Sequence, residues 1–278
     1  MKSRITLFML ASLLATLMIP LSLSAQGDLL VTPRRVVFEG NKQSQELTLA
    51  NTGQDTARYS VSFVQYRMTN SGTFELVEAP DSGQYFADKY LRFFPRAVTL
   101  APNESQVVRM QFRKLPDMKP AEYRSHIYFR AVPKETALGD EAPVDSTTIG
   151  IRLTPIFGIA IPVIVRVGEL DLSVKLSDVS IDAVSDTTTN LAVTINRYGD
   201  KSVYGDLTVN WVPEKGEPVE VGLVRGIAVY TPNKIRRFNM QLRKIAGVDY
   251  HKGKLLIKYQ SLVDPKPELF AELEFLLK

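Results

Sequence analysis

The chain has 278 residues, 34 of them basic and 30 acidic, and no cysteine. Without cysteine there is no disulfide, no thiol chemistry and no lipid-attachment site, so the fold rests on its core alone. The formal charge of +4 falls to +2 once Lys2 and Arg4 of the leader are set aside, and with no lysine-rich run or basic aromatic face nucleic acid is excluded as a partner.

Residues 1–25 read as a signal peptide: Lys2 and Arg4 open it, Ile5 to Leu23 form its apolar stretch, and Ser22, Ser24 and Ala25 offer small residues for cleavage. A mature chain starting near Gln26 has no integral membrane segment and fits two domains, 26–167 and 168–278. From Leu29 onward strand patterns follow one another. Leu47 and Leu49 alternate with Glu46 and Thr48, Val61 and Phe63 with Ser60 and Ser62, and Val108, Met110 and Phe112 with Val107, Arg109 and Gln111. Asn51-Thr52-Gly53, Asn70-Ser71-Gly72 and Ala101-Pro102-Asn103 supply turns; Ala79 to Leu91 has room for a short helix. Tyr123 to Ala131 is a further strand, and the polar Lys134 to Thr148 is long for a connection, which predicts a mobile, functional loop.

The chain is organised around Ile149 to Gly168, its longest apolar run after the leader. Odd positions Ile149, Ile151, Leu153, Phe157, Ile159, Ile161, Val163 and Val165 are large and apolar, whereas the even ones include Gly150, Arg152, Thr154, Gly158 and Arg166, which is the period of a strand. The uncharged part is too short to span a bilayer and carries Pro155, Gly158 and Pro162. Prolines push a strand to a sheet edge, and a long apolar edge is a liability unless something pairs with it; the plainer alternative is a last core strand running into a linker. Beyond Gly168, Leu191, Val193 and Ile195 lead to a turn at Asn196 to Asp200. Leu207, Val209 and Trp211, then Phe238, Met240 and Leu242, then Leu255, Ile257 and Tyr259, and finally Ala271, Leu273 and Phe275 repeat the alternation. The expected fold class is all-β, two immunoglobulin-like β-sandwich domains.

Chemistry is scarce. His126 and His251 fall in different domains, so no histidine cluster can hold a metal. No G-x-S-x-G turn or phosphate-cradling glycine loop occurs, and Asp81, Glu104, Asp140, Glu141 and Asp145 read as solvated loop carboxylates. The expectation is a non-enzyme without cofactor or metal. Arg34 and Arg35, next to Pro33 and leading into Val36-Val37-Phe38, read either as solvated arginines at a strand end or as a guanidinium held in a cleft to take a carboxylate.

Thr32-Pro33-Arg34-Arg35-Val36-Val37-Phe38-Glu39-Gly40, Leu47 to Gly53, Pro95, Leu100, Pro102, Gln106, Val108-Arg109, and Tyr123 to Phe129 running on to Pro133 together resemble the PapD-like periplasmic chaperones of pilus and fimbrial assembly. The resemblance covers most of the first mature domain. It implies a periplasmic boomerang of two immunoglobulin-like domains that lends its long strand to secreted pilus or fimbrial subunits lacking their final strand, a form of β-augmentation, and delivers them to an outer-membrane usher. Ile149, Ile151, Leu153 and Phe157 would fill the subunit's groove, and Arg35, with Arg34, would bind its terminal carboxylate. Some chaperones of this kind self-associate when empty. Two departures stand out: the family's lysine on the long strand falls by count on Pro162, with Arg152 far up the strand as the other cation, and the family's glutamate before the strand serine is Arg124, which removes an expected interdomain ion pair. The alternatives are a secreted structural or adhesive two-domain protein and a hydrolase of unrecognised chemistry.

Overall fold

A computed structural model of the chain describes residues 28–116, 118–133, 156–185, 188–261 and 267–277. The described residues form eighteen strands in chain order. They begin with β1 (Leu29–Thr32), β2 (Val36–Phe38), β3 (Ser44–Asn51), β4 (Ala57–Val64), β5 (Tyr66–Met68), β6 (Phe74–Leu76), β7 (Leu91–Phe94), β8 (Ala97–Leu100), β9 (Ser105–Phe112), β10 (Ala121–Val132) and β11 (Gly158–Val167). The series continues with β12 (Leu172–Ser185), β13 (Thr188–Gly199), β14 (Val203–Val212), β15 (Val219–Val229), β16 (Ile235–Leu242), β17 (Lys254–Gln260) and β18 (Leu269–Leu276). Helix is limited, among the described residues, to one 3-10 turn at Asp88–Tyr90, within the stretch where the sequence leaves room for one. No helix there is long and apolar enough to cross a membrane.

The first sandwich packs a sheet of order β1-β3-β9-β7 on one of order β2-β11-β10-β4-β8. Alternation puts Leu47 and Leu49 of β3 and Val108 and Met110 of β9 into the core, with Glu46, Thr48, Arg109 and Gln111 outside. The opposing sheet contributes Phe38, Ile127, Phe129, Val163 and Val165, all at most 1% exposed. β1 pairs with β3 and β2 with β11, so the chain changes sheets across Pro33 to Arg35, where proline has no N–H to continue a ladder.

The second sandwich packs β12-β13-β16 on β15-β14-β17-β18. Its core holds Leu191, Ile195, Leu207, Trp211, Ile257 and Tyr259, and the Tyr259 hydroxyl donates to the Ile227 carbonyl at 2.8 Å. Lys258 and Lys254 on β17 face Glu272 and Glu274 on β18, which explains the acidic half of that last alternation. The turn expected at Asn196 to Asp200 begins later. Asn196 and Arg197 still pair with Lys175 and Val174 of β12, so β13 runs on to Gly199, whose φ of +90° and close approach to the Asp171 carbonyl leave no place for a Cβ.

Candidate functional site

The long strand has two distinct edges. β11 pairs with β10 along its whole length, from Gly158 opposite Arg130 to Val167 opposite Ala121. On the other side β2 pairs only with Val163 to Val165, in parallel. Gly158 to Pro162 therefore have a strand partner on one side only among the described residues, at the position to which Pro162 points from sequence. Ile161, Val163, Val165 and Val167 are buried in the first core, and Ile159 packs against it. Phe157 keeps the same parity, and its carbonyl accepts from Ala131 N–H at 2.9 Å, yet it is 52% exposed. The apolar stripe thus runs past the end of the core that it serves. Ile149, Ile151, Leu153 and Arg152 lie outside the described residues.

Where the two sandwiches meet, Ile164 of β11 packs with Met68, Ala228 and Tyr230, with Val37 and Tyr204 beside them. Arg35 is half-buried at this cleft. Its Nη1 donates to the Tyr230 hydroxyl at 3.5 Å and its Nη2 to the Ser202 hydroxyl at 3.4 Å, and its guanidinium carbon lies 4.7 Å from the Tyr204 ring centre and 5.4 Å from that of Tyr230. Both hydrogen bonds are at the long limit for such contacts, so a stronger acceptor would compete well for this fork. Arg34 is exposed; the cleft contacts are those of Arg35.

The carboxylate between the sandwiches comes from Glu122, not from position 124. Glu122 is 2% exposed. Its Oε2 accepts from Arg166 Nε at 3.1 Å, from the Ser202 N–H at 3.0 Å and from the Ser202 hydroxyl at 2.8 Å, and its Oε1 accepts from the Thr231 hydroxyl at 3.3 Å. Arg166 also donates to the Ser202 carbonyl at 3.2 Å and pairs with Glu39 at 3.0 Å. Burial pushes Glu39 up, but Arg166 and Lys201 outweigh it and hold the group below the usual carboxylate range. Glu122 thus pairs with Arg166 inside the first sandwich and is tied to the second by hydrogen bonds from Ser202 and Thr231, while the ion pair that crosses between the sandwiches is Glu39 with Lys201 at 3.4 Å. Arg124 is 2% exposed; its Nη2 donates to the Thr231 carbonyl at 3.2 Å and its guanidinium lies 4.5 Å from the Tyr230 ring centre. Pro162, at the position of the absent lysine, stands opposite His126.

His126 is held edge-on by the Tyr66 and Phe74 rings, with centroids 5.0 and 5.6 Å away. Burial first, and then the charge of Arg124, lower its pKa from 6.5 to about 3. The folded protein keeps this imidazole neutral where the unfolded chain would protonate it. Its contribution is complete above about pH 6.5 and is lost progressively as the pH falls toward 3, at about 1.4 kcal/mol per unit. Urea unfolding of the wild type is expected to show about 2 kcal/mol less stability at pH 5 than at pH 7, a difference that shrinks in His126→Leu; an equal loss in both proteins would assign it to other groups. His251 sits on an exposed turn beside Asp249, and among the described residues no cluster of His, Asp or Glu is placed to hold a metal.

No protein-family model matches the chain and no curated protein matches it. Solved structures do. The class 5 fimbriae chaperone CfaA is similar at 15% identity and TM-score 0.45, over 90% of this chain and 99% of that one. The chaperone CupB2 of Pseudomonas aeruginosa is similar at 12% identity and TM-score 0.41, over 89% and 100%. The complex of CsuC with the tip adhesion subunit CsuE, from archaic chaperone-usher Csu pili of Acinetobacter baumannii, is similar at 13% identity and TM-score 0.42, over 88% and 97%.

Proposed function

We infer that this protein is a periplasmic, non-enzymatic chaperone that completes secreted fimbrial-type subunits by lending them the edge of its long strand. The observation that carries this reading is the apolar stripe of β11, which leaves the core at Ile159, reaches the surface at Phe157 and, among the described residues, has a free edge over Gly158 to Pro162. An incoming strand would pair with that edge, while the odd-numbered side chains, Phe157 and then Leu153, Ile151 and Ile149, fill the subunit's groove. Each fully buried large side chain contributes about 1.5–3 kcal/mol, against the cost of ordering and association.

The cleft at Arg35 supplies the register. A planar fork whose two hydrogen bonds are both long suits the terminal carboxylate of the added strand, with the exposed Arg34 adding positive charge outside the cleft. The separate cores support 26–167 and 168–278 as the two domains, and the leader-like residues 1–25 support export to the periplasm. Delivery to an outer-membrane usher, and self-association of the empty protein through the same edge, follow from the same reading.

The test is a periplasmic pull-down of tagged protein beside a folded Phe157→Glu variant, with captured chains identified by mass spectrometry. Small secreted β-rich subunits are expected with the wild type and should be reduced at least about tenfold with the variant, since a carboxylate would replace a buried ring. Empty captures from both would favour a structural or adhesive two-domain protein instead.

A further inference from the structure

Two cations in the cleft have no direct ion-pair partner among the described residues. Among the described residues no carboxylate lies within ion-pair distance of Arg35 or Arg124, and the buried carboxylate nearest in the chain to Arg124, Glu122, is taken up by Arg166, Ser202 and Thr231. Arg124 is the more exposed to this cost in energetic terms because it is the more deeply buried: two of its three nitrogens, Nε and Nη1, are buried without a hydrogen-bond partner. A buried guanidinium with unfilled donors is destabilising unless an anion completes it. Both arginines lie against the same ring, Tyr230, at 4.5 Å for Arg124 and 5.4 Å for Arg35.

We propose that Arg124 is the second cation of the Arg35 site, so that the cleft takes one carboxylate whose charge is shared by guanidinia from β10 and from the segment before β2, with Tyr230 as their common support. Among the described residues the long strand contributes none of that charge: its one cation there, Arg166, is committed to Glu39 and Glu122. Arg35 is the half-open, ligand-facing member, and Arg124, 2% exposed, acts from the buried side of the cleft, strengthening anion binding through an interior of low polarizability where charge is poorly screened. The inference rests on the strand-donation reading only for the natural source of the carboxylate; the site itself is a property of the free protein.

Acetate is therefore the probe, titrated into the full mature protein at constant ionic strength with chloride, with neutral acetamide as the uncharged control. Acetate, and not acetamide, is expected to raise the unfolding temperature of the wild type. The acetate dissociation constant is expected to rise about tenfold or more in Arg124→Gln and in Arg35→Gln, to be partly restored in Arg124→Lys, and to stay unchanged in Arg225→Gln, an exposed arginine of the second sandwich. A folded Arg124→Gln with the wild-type constant would overturn the proposal, as would a wild type indifferent to acetate. Should the Arg124 variants fail to fold, the side-chain Nε–H resonances of the wild type decide: two arginine signals shift together with acetate if the charge is shared, and a single moving signal contradicts it. Failure of subunit capture with this acetate response intact would remove strand donation and leave the site standing.

Discussion

Arg35→Glu is expected to abolish subunit capture while the protein stays folded. The wild-type side chain is half-buried and held by hydrogen bonds of 3.4 and 3.5 Å, so its removal costs the fold little. A glutamate there would lie near the guanidinium of Arg124, which packs on the same Tyr230 ring, and opposite charges attract. The subunit's carboxylate, by contrast, would lose a charge-assisted hydrogen bond of about 1.5–3 kcal/mol and meet a like charge as well. The combined effect is about a hundredfold or more in affinity, read by titrating a purified subunit against the wild type and the variant, with unfolding temperatures measured alongside. Equal affinities would keep strand donation and remove Arg35 as the anchor.

The second large effect is expected from Glu122→Ala. It leaves Arg166, whose side chain is 11% exposed, with only the rim carboxylate Glu39 as an ionic partner, and it strands the Ser202 N–H and hydroxyl and the Thr231 hydroxyl on the far side of the cleft. Breaking a buried ion pair by removing one partner costs about 3–5 kcal/mol. Urea unfolding followed by the fluorescence of Trp211, the single tryptophan, should show that loss, with protease cleavage between the sandwiches appearing at lower urea than in the wild type. Because Ser202 also accepts from Arg35, the same variant should loosen the anchor, and subunit affinity should fall even where the variant is fully folded. A loss below about 1 kcal/mol, the range of exposed pairs, would show that Glu122 is not holding the sandwiches together.

The strands were legible because each is buried on one face, and alternation writes that burial directly into residues such as Leu47 and Leu49 or Leu255, Ile257 and Tyr259. The edge character of the long strand was legible for a covalent reason, the missing N–H of Pro162. The cleft was only half legible. Glu122, Arg124 and His126 alternate on β10 with Tyr123, Ser125 and Ile127, and a charged face in a strand ordinarily means solvent. Here the second sandwich covers Glu122 and Arg124, bringing Ser202, Tyr230 and Thr231 from 80 or more residues away, while Tyr66 and Phe74 cover His126, and no local pattern encodes contacts at such range. The one available signal was the run of three ionisable side chains at a spacing of two. The turn after β13 comes later than local sequence suggests for a related reason: Asn196 has turn chemistry, but its neighbours on β12 and β16 hold it in the ladder.

Hydrogen exchange of the free protein and of its complex with a purified subunit tests the central claim most directly. Strand donation predicts that the complex gains protection in amides of the long strand up to Ile161, where β2 leaves the described residues Gly158 to Ile161 unpaired on that side, with smaller changes around Arg35 and none on the outer face of β9. Protection that leaves 149–161 unchanged and appears elsewhere would show that the subunit is held by another surface, and strand donation would be wrong.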